Sequence, residues 1–144
     1  VATLRGLLNS ARTASASTSN SNYGWIAGGN PGPFSSLSRI NFSNDLSTTS
    51  IRGLLSSSRA YLTANSGQSK SLSTNLLTTN GYGWWSGGTP AISSSERIDF
   101  SNDSVQTTAR GNLSKNRNYN ASFSNSTYGY CISNGFPFPS PINS

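Results

Sequence analysis

Tyr82-Gly-Trp-Trp-Ser-Gly-Gly88, followed by Arg97-Ile-Asp-Phe-Ser-Asn-Asp103, decides how this chain folds. The first stretch is a short aromatic run halted by a glycine pair. The second alternates polar and apolar residues, the period of a half-buried strand, and ends in turn formers. Both stretches occur earlier in the chain, as Tyr23-Gly-Trp-Ile-Ala-Gly-Gly29 and Arg39-Ile-Asn-Phe-Ser-Asn-Asp45. A weaker third version of the first is Tyr128-Gly-Tyr-Cys-Ile-Ser-Asn134. A further landmark lies outside them. Arg5-Gly-Leu-Leu-Asn-Ser-Ala-Arg12, Arg52-Gly-Leu-Leu-Ser-Ser-Ser-Arg59 and Arg110-Gly-Asn-Leu-Ser-Lys-Asn-Arg117 each carry two arginines seven positions apart.

The spacings agree. Arg12 to Tyr23 and Arg117 to Tyr128 are both 11 positions, whereas Arg59 to Tyr82 is 23, so the second unit carries a 12-residue insertion, falling within 64–79. Arg5 to Arg52 is 47 positions and Arg52 to Arg110 is 58. Residues 1–144 therefore read as one repeat domain with units at 5–51, 52–109 and 110–144 and a proline-rich tail at 136–144. A period near 47 fits either propeller blades or helical repeats. Composition separates them. The segments are short, β-branched or aromatic, and bounded by Gly, Asn and Ser, with four candidate strands per unit. The first strand is expected just after each second arginine, as in Thr13-Ala-Ser-Ala-Ser17. The expectation is an all-β fold of about three four-stranded units, the third incomplete.

The pattern resembles the kelch-type β-propeller repeat. The resemblance rests on a basic residue before the first strand (Arg12), an aromatic strand ending in Gly-Gly (Tyr23 to Gly29), and a strand carrying a charge and an aromatic (Arg39 to Phe42). The tryptophan that follows the fourth-strand region of kelch units is missing here. The Tyr-Gly-Trp-x-x-Gly-Gly and Arg-Ile-Asp-Phe-Ser-Asn-Asp motifs are also similar to repeats in virion proteins of tailed marine phages, notably cyanophages. That likeness implies a tail-fibre or surface protein with a role in host attachment.

Composition narrows the chemistry. The 144 residues are 33% hydrophobic and 10% charged, with no His, no Met and one Cys, while Ser, Thr and Asn together number 61. No His-based triad, Cys/His zinc site or disulfide within the chain can be built from this inventory. The only acids are Asp45, Asp99, Asp103 and Glu96. We therefore expect no enzyme activity, no catalytic residue, no metal and no cofactor. No apolar run reaches the roughly 18 residues of a membrane span, and no uncleaved leader is expected.

The net charge of +6 invites a nucleic-acid reading. All eight arginines (Arg5, Arg12, Arg39, Arg52, Arg59, Arg97, Arg110 and Arg117) sit on repeat landmarks, which favours structural stitching to carbonyls or to the Ser-Asn-Asp carboxylate. No nucleic-acid partner is expected. Asp45 and Asp103 read as turn-closing residues, a calcium ligand being the alternative. Trp25 and Trp84 are expected to pack between units. Trp85 alternates with Trp84 and is the one candidate ligand-binding ring, for a sugar. Cys131 is expected to be buried and inert.

These readings converge on a non-enzymatic structural or adhesion module of a virion or extracellular surface assembly. The alternative is a glycan-binding propeller lectin, with cell-surface glycan as partner. The landmarks supply two complete units and two strands of a third, so the expectation is either a fragment of a longer chain or an assembly whose partners are other copies of the chain or further chains of the same particle.

Overall fold

The computed structural model describes residues 5–32, 34–66, 81–124 and 129–132. The tail 136–144, Pro33 and most of the expected insertion lie outside these residues. Among the described residues there is no helix and there are ten strands: β1 (Ala16–Ser19), β2 (Tyr23–Ala27), β3 (Ser36–Asn41), β4 (Ser50–Leu54), β5 (Thr63–Ser66), β6 (Tyr82–Ser86), β7 (Ile92–Asp99), β8 (Thr108–Arg117), β9 (Ala121–Ser124) and β10 (Gly129–Ile132). β1-β2-β3-β4 and β5-β6-β7-β8 are two four-stranded sheets, every neighbouring pair antiparallel, and β9-β10 is an antiparallel hairpin.

The repeat arithmetic is visible in the chain path. β1, β5 and β9 each begin four residues after the second arginine of a unit, at Ala16, Thr63 and Ala121. The first strand thus starts later than Thr13. Ala64, Asn65 and Ser66, placed in the insertion from sequence, belong to β5. In register, Trp25 faces Arg39 across β2 and β3, and Trp84 faces Arg97 across β6 and β7.

Between arginine and strand the backbone makes the same step three times. Ala14, Tyr61 and Tyr119 all adopt the left-handed region, with φ of 54°, 53° and 53°. Side chains rarely accept that region without compensation. Here the surroundings hold it: the Tyr61 N–H donates to the Ala14 carbonyl at 2.8 Å, and the Tyr119 N–H donates to the Tyr61 carbonyl at 3.1 Å. Each unit is thereby hooked onto the one before it.

The Gly-Gly pairs receive the arginine turn of the following unit. Gly29 N–H donates to the Arg59 carbonyl at 2.9 Å, and Gly88 N–H donates to the Arg117 carbonyl at 2.8 Å. Gly28 and Gly87 have positive φ, and a Cβ at either would collide with that same carbonyl. This close approach requires glycine.

One core spans both sheets: Trp25, Ala27 and Leu37 from the first, Trp85, Ile98 and Phe100 from the second, and Leu55 and Leu62 between them. Alternation gives each sheet two working faces. Trp85, Ile98 and Phe100 point back to the first sheet, where the Phe100 ring stacks on Trp25 with centroids 4.2 Å apart and an interplanar angle of 11°. Trp84 and Arg97 occupy the opposite face.

Candidate functional site

The sequence singled out arginines and aspartates, and the structure gathers four of the arginines and one of the aspartates into three polar centres. At the first, Asp103 lies in the turn after β7 but serves the first sheet. Its carboxylate accepts from Trp25 Nε1 at 2.9 Å, Arg39 at 2.8 Å and Arg52 Nε at 3.0 Å. The Asp103 side chain is only 4% exposed, against 36% for Arg52. Arg39 also lies over the Tyr23 ring, 4.2 Å from its centroid. A buried carboxylate with three donors, two of them cationic, is a strong, directional fastening. It joins one sheet to the next rather than closing its own turn.

The second centre is the ion pair of Arg59 and Glu96, both fully buried. Arg59 donates to Glu96, to the Gly87 carbonyl at 3.3 Å and to the hydroxyls of Ser56, Ser57 and Ser94. Glu96 accepts further bonds from the Ser56 N–H at 2.9 Å and from the Ser56 and Thr107 hydroxyls. Burial alone would push the Glu96 carboxyl up. The bonds from Ser56 and Thr107 and the charge of Arg59 outweigh it and hold the group below the usual carboxylate range. Burial lowers the Arg59 guanidinium, and Glu96 opposes that shift. This carboxylate is fully committed and has no free lone pair to offer as a base.

The third centre is Arg12, equivalent to Arg59 in the preceding unit. It has no carboxylate. Its guanidinium donates to the carbonyls of Gly28 and Ser36 and to the hydroxyls of Ser36 and Ser38, all at 3.2–3.3 Å, and lies over Phe34. Burial lowers its pKa. Ser38 in turn donates to Asn9 Oδ1 at 2.6 Å, and the Thr49 hydroxyl donates to the same oxygen at 3.2 Å.

The remaining landmark residues stand apart from these centres. Asp45 and Arg5 face each other at 3.9 Å with side chains 45% and 57% exposed, a loose surface pair. Arg97 lies over the Tyr82 ring at 3.8 Å. Arg110 is exposed on β8, and Arg117 is half-buried at the end of that strand. Trp85, the ring expected to meet a ligand, is 0% exposed, and its indole N–H donates to the Ala16 carbonyl at 3.5 Å. It is core, because its face of β6 is the one covered by the first sheet. Cys131 is a free, half-buried thiol rather than a fully buried one.

Glu96 is the residue that sequence reasoning passed over. A signal existed: it is the chain's only glutamate, set beside a landmark arginine in a run of serines. Among the described residues no cluster of three or more metal-ligating side chains occurs. No helix there is long and apolar enough to cross a membrane. No protein-family model matches the chain, and no curated protein matches it.

Proposed function

We propose that this chain is a non-enzymatic structural and adhesion module of a virion or extracellular surface assembly, its sheets serving as kelch-like propeller blades. The observation that carries the reading is the Asp103 fastening: a carboxylate from one sheet held by Trp25, Arg39 and Arg52 of the sheet before it. The polar side chains that an enzyme would keep free are spent here on joining units. The blade reading draws on the first strands, which lie side by side: Thr18 donates to the Asn65 carbonyl at 3.0 Å, and Ser122 to the Ala64 carbonyl at 2.7 Å. Strands one then line a shared axis, and the outer strands and turns face outward as attachment surface.

Two measurements test this. Immunogold labelling with an antibody to the chain should decorate an outer surface of intact particles or cells of its source. Label appearing only after lysis would overturn the surface assignment. Electron cryomicroscopy of the native assembly should place the sheets around one axis with strands one innermost. A face-to-face linear stack would overturn the blade assignment.

A further inference from the structure

The second sheet carries, on its far face, the same residues in the same register as the receptor that holds Asp103. Trp84 pairs with Arg97 as Trp25 pairs with Arg39, and Arg110-Gly111 on β8 matches Arg52-Gly53 on β4. Arg97 caps Tyr82 as Arg39 caps Tyr23. One receptor is filled. The other is open: among the described residues neither Arg97 nor Arg110 is in a salt bridge, and Asp99, which feels the charge of Arg97, accepts its hydrogen bonds from the N–H and hydroxyl of Ser101. A Cβ at Gly53 would collide with the Val105 carbonyl of the incoming turn, whereas nothing described lies within 4 Å of one at Gly111. Gly53 is buried and Gly111 exposed.

We infer that the Trp84–Arg97–Arg110 face is a docking site for a strand-and-turn segment of the Phe-Ser-Asn-Asp kind lying outside residues 1–144. Its aspartate takes the place that Asp103 takes on the first sheet, and its phenylalanine stacks on Trp84 as Phe100 stacks on Trp25. Charge complementarity selects an acidic turn, since two arginines and an indole N–H converge on one oxyanion. The chain's own residues 125–144 contain no Asp or Glu to supply it. A folded second copy is poorly suited to the task. Its Asp45 turn is already engaged by its own residues 5–7, where the Gly6 N–H donates to the Asp45 carbonyl and the Thr49 N–H donates to the Leu7 carbonyl at 2.9 Å. An added strand-and-turn segment whose acid is still unpaired meets no such obstacle. The inference stands on this geometry and is independent of where the assembly resides.

The test uses the intact chain and a synthetic peptide with the sequence of residues 95–107, followed through the indole N–H resonance of Trp84, which Trp84→Phe identifies. Saturable binding should appear by millimolar peptide. It should weaken at least roughly tenfold when the peptide aspartate equivalent to Asp103 becomes Asn, and equally with Arg110→Gln in the protein. Arg110 is exposed, so this variant keeps its fold; Arg97→Gln is the second variant, checked by circular dichroism. Absence of saturable binding, or binding indifferent to these changes, overturns the proposal. Binding that emerges only after residues 133–144 are removed overturns it in favour of the chain's own tail. Self-association of the intact chain that Asp45→Asn abolishes overturns it in favour of a second copy.

Discussion

Asn9 and Glu96 deliver a side-chain oxygen to equivalent points of successive units from opposite sides. Asn9 corresponds to Ser56 in the repeat, and Glu96 to Ser38. Where the first unit pairs a long Asn9 with a short Ser38, the second pairs a short Ser56 with a long Glu96, and a threonine (Thr49 or Thr107) bonds the acceptor in both. The site keeps its volume and its acceptor while the acceptor changes sides.

This exchange can be reversed by design. Ser38→Glu alone should overpack against Asn9 and cost about 1–3 kcal/mol. Adding Asn9→Ser should recover most of that loss, because the new carboxylate then meets Arg12 as Glu96 meets Arg59. Thermal unfolding of both single variants and the double checks this. Additive losses would mean that the two units are not equivalent here.

Asp103→Ala should destabilise by roughly 3–5 kcal/mol, the range for removing one partner of a buried charge cluster. Asp45→Ala, at the matching but exposed turn, should stay within about 0.5 kcal/mol. Urea denaturation midpoints measure the contrast, and similar values for the two would refute the fastening.

Gly53→Ala should cost about 1–3 kcal/mol, since its Cβ enters the space of the Val105 carbonyl. Gly111→Ala, with no described atom within 4 Å of the added Cβ, should be neutral or slightly stabilising. Chemical denaturation of the two variants side by side reads the difference directly.

Stability should fall in acid through Glu96. Its folded carboxyl is held below its unfolded value, so the unfolded chain binds the proton first. The contribution is complete above the unfolded pKa of about 4.3 and is lost as pH drops through the lower folded value. Asp99, held low chiefly by the Ser101 hydroxyl and N–H, adds to the same limb. The Arg59→Met/Glu96→Met double variant should unfold with a shallower pH dependence below about pH 5. An unchanged slope would show that Glu96 does not carry the acid limb.

Much of the strand order could be read from sequence because its markers recur. Tyr-Gly-Trp, Gly-Gly and Phe-Ser-Asn-Asp each appear at least twice at matched spacing, so chance resemblance was excluded by order. Direction was harder. Nothing in Phe100 to Asp103 says that this turn reaches back to Trp25 rather than closing on its own sheet, since that depends on how sheets stack. Trp85 was misplaced for the same reason: alternation put it opposite Trp84, but which face is covered is a tertiary fact. Glu96 escaped because a search for recurrence sees sameness, and this site works through a compensated difference.

The left-handed step at Ala14, Tyr61 and Tyr119 is joined from unit to unit by main-chain hydrogen bonds, to which the Tyr61 and Tyr119 rings add a contact with centroids 4.2 Å apart. The hydrogen-bonded part of the joint accepts alanine in one unit and tyrosine in the other two. The backbone link is thus kept although the side chain at this position changes. Units whose surfaces have diverged remain mechanically interchangeable, so a gene of this kind can gain, lose or trade modules by recombination without having to reinvent the connection between them.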